Sequence, residues 1–228
     1  MNNKKKKSVV LISGGMDSLL ITALAHQRGD QLAALHINYG QRTQEKEREC
    51  FQLIANFYHI PTELRKEVDL SFLGQLGGSS LTDRQLQVGS TVNDASLQDQ
   101  IPMTYVPFRN TIMLSVATAW AELLGFDNLI IGAVEDDSPG YPDCRPSYYR
   151  AFNEVIRQGS RGGIAVETPI IDHNKIQIVE KCLQLAAPLE KSWSCYQRED
   201  VACGVCDSCQ LRLRAFAQLG VDDPILYG

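Results

Sequence analysis

Cys195, Cys203, Cys206 and Cys209 form a C-x7-C-x2-C-x2-C array near the end of a 228-residue chain. Thiolates two residues apart can grip one metal ion through a tight turn, and Gly204 permits that turn. Four protein sulfurs complete a tetrahedral shell and leave no position for water, so a structural Zn²⁺ is the natural fit. An iron–sulfur cluster, also held by four thiolates, and a redox dithiol are the alternatives. Cys50, Cys144 and Cys182 have no such spacing, and Cys50 and Cys182 fall within amphipathic helical patterns as small hydrophobes.

The second constellation is Ser13-Gly14-Gly15-Met16-Asp17-Ser18, placed between an apolar run, "VVLI", and a helical pattern. A strand-to-helix turn exposes the free N–H groups of the helix start, which attract anions. Paired glycines let a phosphate approach the backbone, and Ser13 and Ser18 add hydroxyl donors. Asp17 repels phosphate, so it should cap the helix or hold a divalent cation. The spacing is neither that of a Walker loop nor that of a dinucleotide fold, and the turn holds no lysine. Compensating charge must come from elsewhere, and Arg42, Arg109 and Lys175 each stand just past an expected strand or at a helix start.

Two further segments belong on the substrate side. "YVPFRN" sets Arg109 and Asn110 at a helix start behind a proline, in position to meet an anion or a planar ring. "EDDSPGYPDCRP" gathers Asp137, Tyr141, Asp143 and Arg145 after an apolar strand.

The elements that must carry these residues alternate. Strands "VVLIS", "LAALHI", "TELRKEVDL", "NLIIGAV" and "IAVETPI" interleave with helices that begin near Leu19, Glu45, Arg109, Pro146 and Asn174. This rhythm predicts an α/β fold, an open and mostly parallel sheet with helices on both faces, which binds ligands beyond the carboxyl ends of its strands. Periodicity fails between 71 and 104, where a mobile excursion or lid is expected rather than a buried element. A nucleotide-binding body over 8–191 would be followed, from 192 to 228, by a cysteine-rich extension with one helix, "CQLRLRAFAQLG".

Composition agrees with a soluble globular body: 44% hydrophobic, 21% charged and a net charge of −5. The acidic balance argues against a stable nucleic-acid partner, despite the lysine run at 4–7. That run and "SVVLI" break too early at Ser13-Gly14-Gly15 to be a signal peptide, and no apolar stretch spans a membrane, so cytoplasm is the expected location.

"SGGMDS" resembles the S-G-G-x-D-S signature of the ATP pyrophosphatase superfamily, whose members share a Rossmann-like, adenine nucleotide α-hydrolase-like fold, grip the pyrophosphate end of ATP and pass AMP to a substrate oxygen. With "YVPFRN", "GYPDCRP" and "CGVCDSC" in this order, the chain is similar to the 7-cyano-7-deazaguanine synthase family from about Ser8 to Tyr227. The resemblance implies ATP with Mg²⁺, 7-carboxy-7-deazaguanine and ammonia as substrates, and one structural Zn²⁺ per chain. Ile12, Ser13, Gly14, Gly15, Met16, Asp17, Ser18, Leu19, Leu20 and Arg42 become nucleotide contacts. Asp17, Arg109 and Lys175 become catalytic, and Asn110, Asp137, Tyr141, Asp143 and Arg145 face the deazaguanine. Members are often homodimers. No segment of this chain reads as a glutaminase, so free ammonia is the expected nitrogen source.

The family pattern has glycine where Phe108 stands, tyrosine where Ser138 stands, and usually one more residue between the first two zinc cysteines. A sibling amide-forming ligase, a tRNA-thiolating enzyme and a non-catalytic nucleotide sensor are the rival readings. Thiolation would call for a broad basic face and a sulfur-carrying cysteine, for which Cys144 is the one candidate.

Overall fold

The computed structural model describes residues 5–86, 101–135 and 141–228. Five strands, β1 (Lys7–Leu11), β2 (Gln31–Asn38), β3 (Arg65–Asp69), β4 (Asn128–Ile130) and β5 (Ala165–Glu167), pair in parallel in the order β3-β2-β1-β4-β5. Val9 lies in register with Ala33 and Leu129, and Val10 with Ala34 and Ile130.

The central strands carry unbroken apolar runs, 9–11 in β1, 32–35 in β2 and 129–130 in β4, because both faces are covered. Val10, Ala34 and Ile130 pack under α1 (Met16–Gln27), α2 (Gln44–Phe57), α6 (Lys175–Gln184) and α7 (Asp207–Leu219). Val9, Ala33, Leu35 and Leu129 pack under α4 (Arg109–Leu124) and α5 (Pro146–Gly159). The expected parallel sheet with helices on both faces is therefore present.

Two strands are shorter than the apolar pattern predicts. The ladder of β4 stops at Ile130, and the chain then crosses the start of α1, where a Cβ on Gly132 would stand 2.9 Å from the carbonyl carbon of Asp17. Backbone contact that close excludes any side chain, so the apolar run "IGAV" lines a crevice instead of extending the sheet. The strand around Ala165 is likewise only three residues long.

The excursion departs further from expectation. In its described part, α3 (Phe72–Gln75) and buried Ser79, Ser80 and Leu81 pack down, with Leu73 and Leu81 joining Tyr39 and Val106 in a small apolar cluster. Ser80 N–H donates to the Met103 carbonyl at 2.8 Å, tying the two limbs together. Isolated apolar residues among glycines and serines conceal such a cluster from periodicity, which needs a longer run to register.

The C-terminal segment is held by Arg212, which is 0% exposed on α7. Its guanidinium forms a two-point pair with Asp223 at 2.8 and 2.9 Å, and also donates to Ser192 Oγ at 2.9 Å and to the Leu189 carbonyl at 3.2 Å. Tyr227 Oη donates to the same carboxylate at 2.6 Å. A buried cation this fully bonded is indifferent to replacement only if its partner is removed with it. Arg212→Met is expected to lower unfolding stability by about 3–5 kcal/mol, and Arg212→Met/Asp223→Leu to recover much of that loss, as measured by urea unfolding.

Candidate active site

The strand order reverses between β1 and β4, and there a cavity of about 470 Å³ opens beyond the carboxyl ends of the strands. Such a switch point is where two successive connections leave in opposite directions and part. The cavity is lined on one side by Ile12, Ser13 and the start of α1, and on the other by Ile131 to Val134.

At the turn, Gly14 has a φ of +93°, and a Cβ there would stand 2.7 Å from the carbonyl oxygen of Glu47. Only glycine satisfies both conditions. Gly15 N–H donates to Ser13 Oγ at 3.3 Å, and Ser18 Oγ donates to the Gly15 carbonyl at 2.9 Å. Gly15 is the N-cap residue, so Asp17 lies inside the first helical turn and caps nothing; that half of its expectation is corrected. Its Oδ1 instead accepts from Lys175 Nζ at 2.7 Å. Lys175 reaches the turn because Asn174 caps α6 in a reciprocal box with Gln177, which fixes where that helix begins. The missing cation of the turn thus comes from 158 residues away.

Buried His36 supports the same turn from β2. Its Nδ1 lies 2.9 Å from the Ile12 carbonyl, and burial lowers its pKa, so the ring is neutral and Nδ1 carries the donated proton.

The opposite wall centres on Arg109. Its Nη1 donates to Tyr39 Oη at 3.2 Å, its guanidinium lies 5.0 Å from that ring's centre, and its Nε is buried without a hydrogen-bond partner. Burial opposes its charge, but the potential of Tyr39, Tyr141, Asp143 and Cys144 outweighs this and raises the pKa, so it stays cationic. Burial also pushes Tyr39 up to about 12. The start of α4 is held by Asp143, whose Oδ2 accepts from Asn110 N–H at 3.3 Å, while Asn110 Nδ2 donates to the Asp143 carbonyl at 3.2 Å. Tyr141 bonds Thr104 Oγ1 at 2.6 Å. Leu35, Ile37, Met113 and Ile131 give the space between an apolar lining.

A third wall comes from the cysteine segment, through Trp193 to Tyr196 and through Asp207, Ser208 and Leu211. The Sγ atoms of Cys195, Cys203, Cys206 and Cys209 lie within 4.8 Å of one another, compact enough to close on one ion. Cys195 Sγ accepts N–H bonds from Gln197, Arg198 and Cys203, each at 3.4 Å. Hydrogen bonds from Cys206 and Cys209, then from backbone, push the Cys195 thiol down, and the same sharing pushes the Cys206 and Cys209 thiols up, so the fit to a metal rests on the closeness of the four sulfurs. The donor set therefore fits a metal. Trp193 N–H donates to the Gly14 carbonyl at 2.9 Å and so links the knuckle directly to the turn.

Of the residues singled out from sequence, Ile12, Ser13, Gly15, Met16, Asp17, Ser18, Arg109, Asn110, Tyr141, Lys175 and Cys195 meet at this cavity. Others are placed elsewhere. Leu19 and Leu20 are fully buried in the core beneath α1, and Gly14 is taken up by α2 and Trp193. Arg42 donates to the carbonyls of Asp83, at 2.7 Å, and Leu86, and so anchors the excursion rather than a ligand. Asp143 is buried behind the wall as the partner of Asn110, and Arg145 is exposed at the start of α5. Asp137 and Ser138 lie outside the described residues. Phe108, 63% exposed with a φ of +62°, bears on the backbone at the start of α4 rather than on the cavity lining.

Sequence reading missed Tyr39, Glu47 and Trp193. Glu47 sits in the first turn of α2 among ordinary amphipathic neighbours, half-buried, and only its place in the cavity wall marks it. Its Oε1 accepts from Thr43 Oγ1 at 2.9 Å and its Oε2 from Gln41 Nε2 at 3.0 Å, yet burial pushes its pKa up to about 7.

The model of the family described as queuosine biosynthesis protein QueC matches residues 7–220. The 7-cyano-7-deazaguanine synthase of Chlorobaculum parvum is 55% identical over 223 residues, covering 97% of this chain and 96% of its own. That of Chlorobium phaeovibrioides is 56% identical over 224 residues, with the same shares covered. Among solved structures, the NMN synthetase of Francisella tularensis superimposes with a TM-score of 0.49 at 15% identity, covering 97% of this chain and 80% of that one.

Because the folded pKa of Glu47 lies above its ordinary value of 4.5, the folded state holds a proton that the unfolded chain releases. Stability from this group is present at low pH and is lost as pH rises from about 4.5 to about 7. Glu47→Gln carries no charge, and can accept from Gln41 through its oxygen and donate to Thr43 Oγ1 through its nitrogen, so it should match the parent at pH 4.5 and exceed it at pH 8 by on the order of 2 kcal/mol in urea unfolding.

Proposed function

The chain belongs to the queuosine biosynthesis protein QueC family, and from that premise we propose that it is an ATP-consuming ligase that converts 7-carboxy-7-deazaguanine and ammonia to 7-cyano-7-deazaguanine. The observation that carries the reading is a single apolar cavity with two cationic poles, Lys175 beside the helix turn and Arg109 on the facing wall. An adenylating site needs both: one pole for the departing pyrophosphate, the other for the anions that react.

In this reading the N–H groups at the start of α1, the hydroxyls of Ser13 and Ser18, and Lys175 receive the pyrophosphate. Arg109, with an unused Nε, neutralises the substrate carboxylate and the α-phosphate as they meet. Leu35, Ile37, Met113 and Ile131 accept the planar ring, with Asn110 and Tyr141 at its polar edge. Asp143 acts by holding α4 in place. A carboxylate oxygen attacks the α-phosphorus and pyrophosphate leaves. Ammonia then attacks the carbonyl carbon, the carbon–oxygen bond to AMP breaks, and an amide results. A second adenylation, on the amide oxygen, makes that oxygen a leaving group, and loss of AMP and the nitrogen's protons gives the nitrile. Holding the reactants together and neutralising charge supply most of the acceleration.

Asp17 is the carboxylate that would hold Mg²⁺, which when bound supplies positive charge to the phosphate oxygens. Zn²⁺ is assigned to the four cysteines, whose closed donor set suits a structural ion. We also assign the body to residues 8–191 and the metal-bearing extension to 192–228, with a homodimer as the assembly. No helix among the described residues is long and apolar enough to cross a membrane, which supports a cytoplasmic location.

Purified protein given ATP, Mg²⁺, ammonium and 7-carboxy-7-deazaguanine should yield the nitrile, AMP and pyrophosphate by mass spectrometry, and Lys175→Ala should lower kcat/KM about 100-fold or more. Amide as the final product would make it a sibling ligase, and absence of AMP would make it a sensor. Metal analysis should find one zinc per chain, lost together with the fold of the extension in Cys203→Ser.

A further inference from the structure

The reaction just described consumes ammonia, yet at neutral pH nearly all of it in solution is ammonium, which has no lone pair to attack with. A proton must leave before the carbon–nitrogen bond can form, and the turn, the cations and the apolar walls offer nothing to take it. Among the described residues, three carboxylates line the cavity: Asp17, Asp207 and Glu47. Asp17 is paired with Lys175 at 2.7 Å, and Asp207 stands in the first turn of α7 next to the ligand Cys206. Glu47 is bonded only by the neutral groups of Thr43 and Gln41, one on each oxygen. A carboxylate offers about four acceptor positions, so two remain for a cation donor.

We infer that Glu47 is the ammonium-binding carboxylate of this site and the base that converts ammonium to ammonia. The inference rests on the ligase reading. Ammonium donates to Glu47, one N–H bond breaks and the proton passes to the carboxylate. The freed lone pair then attacks the carbonyl carbon of the acyl adenylate. The carbon–oxygen bond to AMP breaks with its electron pair going to the phosphate oxygen, which takes the second proton that nitrogen sheds. Atoms and charge balance without a further reactant.

The surroundings suit that exchange. Burial raises the carboxyl pKa to about 7, so the group can both take and give up a proton near neutrality. Thr43 and Gln41 oppose the rise by hydrogen bonding, Arg109 on α4 opposes it by charge, and Glu199 of the cysteine segment adds to it. Burial raises Tyr39, just past β2, and Cys50, one turn along α2, and the charge of Glu47 adds to both. The contact that packs α2 on Gly14 is to the Glu47 backbone, so a side-chain change leaves it in place.

Two half-reactions separate the inference from the reading beneath it. Exchange of labelled pyrophosphate into ATP, dependent on 7-carboxy-7-deazaguanine and run without ammonium, reports adenylation alone. Single-turnover amide formation with added ammonium reports the nitrogen step. Glu47→Gln is expected to keep exchange near the parent rate while amide formation at pH 7 falls about 100-fold. Its rate should then follow free ammonia alone as pH rises, without the inflection near 7 expected of the parent, and Glu47→Asp should restore part of the pH 7 rate. Equal amide rates in parent and Glu47→Gln at pH 7 would overturn the inference, and so would parallel loss of exchange and amide formation in both variants while their melting curves stay cooperative. Absence of exchange in the parent would instead bring down the ligase reading and this inference with it.

Discussion

Gly14 is where three parts of the chain meet on one backbone. Its carbonyl receives Trp193 N–H at 2.9 Å, its Cα leaves 2.7 Å between a would-be Cβ and the Glu47 carbonyl, and its φ of +93° turns the chain from β1 into α1. The register of the turn, of α2 and of the cysteine segment is therefore not set independently. A side chain at this position would have to push α2 outward, and with it Glu47. The glycine pair suits an opening for phosphate, but at Gly14 the more stringent need is to let protein approach protein.

Several residues in and beside the cavity are held where they would not rest on their own. Glu47 is desolvated, Arg109 keeps a buried Nε unbonded, and the N-cap of α4, Phe108, adopts a left-handed conformation that costs a bulky residue roughly 1–2 kcal/mol. Glycine would sit there without strain. Compensation comes from two fully covered sheet faces and from Arg212 with its six hydrogen bonds to Asp223, Ser192, Ser194 and Leu189 among the described residues. Rigid scaffold and strained site are two sides of one arrangement.

Much of this was legible in the residues. Strand and helix types followed from periodicity, with α4 starting at Arg109 and α5 at Pro146 as expected, and the turn, Lys175, Arg109 and the four cysteines were found by asking what charge and geometry a phosphate or a metal requires. What periodicity cannot carry is the direction of a long side chain. Arg42 stands past β2 as expected, but short glycine-rich segments gave no sign that the carbonyls of Asp83 and Leu86 would capture it. Leu19 and Leu20 sat in the right motif and on the inner face of α1, where helical spacing turns them to the core. Glu47 was invisible for the opposite reason: a glutamate in an amphipathic helix looks solvated until the fold closes over it.

The cysteine cluster shows how a metal shell closed by these four sulfurs would matter to a reaction in which it took no part. Cys195 is at once one of the four sulfurs and part of the cavity wall, with Trp193 on the turn two residues before it and Tyr196 on the wall just after. Ordering a free segment costs roughly 1–2 kcal/mol per residue in backbone entropy, and a loop that had to order on meeting its ligand would draw that cost from the binding energy. A metal held by residues 195, 203, 206 and 209 meets it during folding instead. Residues 193–196 are then in place before any ligand arrives, and through the Trp193 bond so is the carbonyl of Gly14. On this view the knuckle's contribution is to geometry, and it reaches the phosphate turn by a single hydrogen bond.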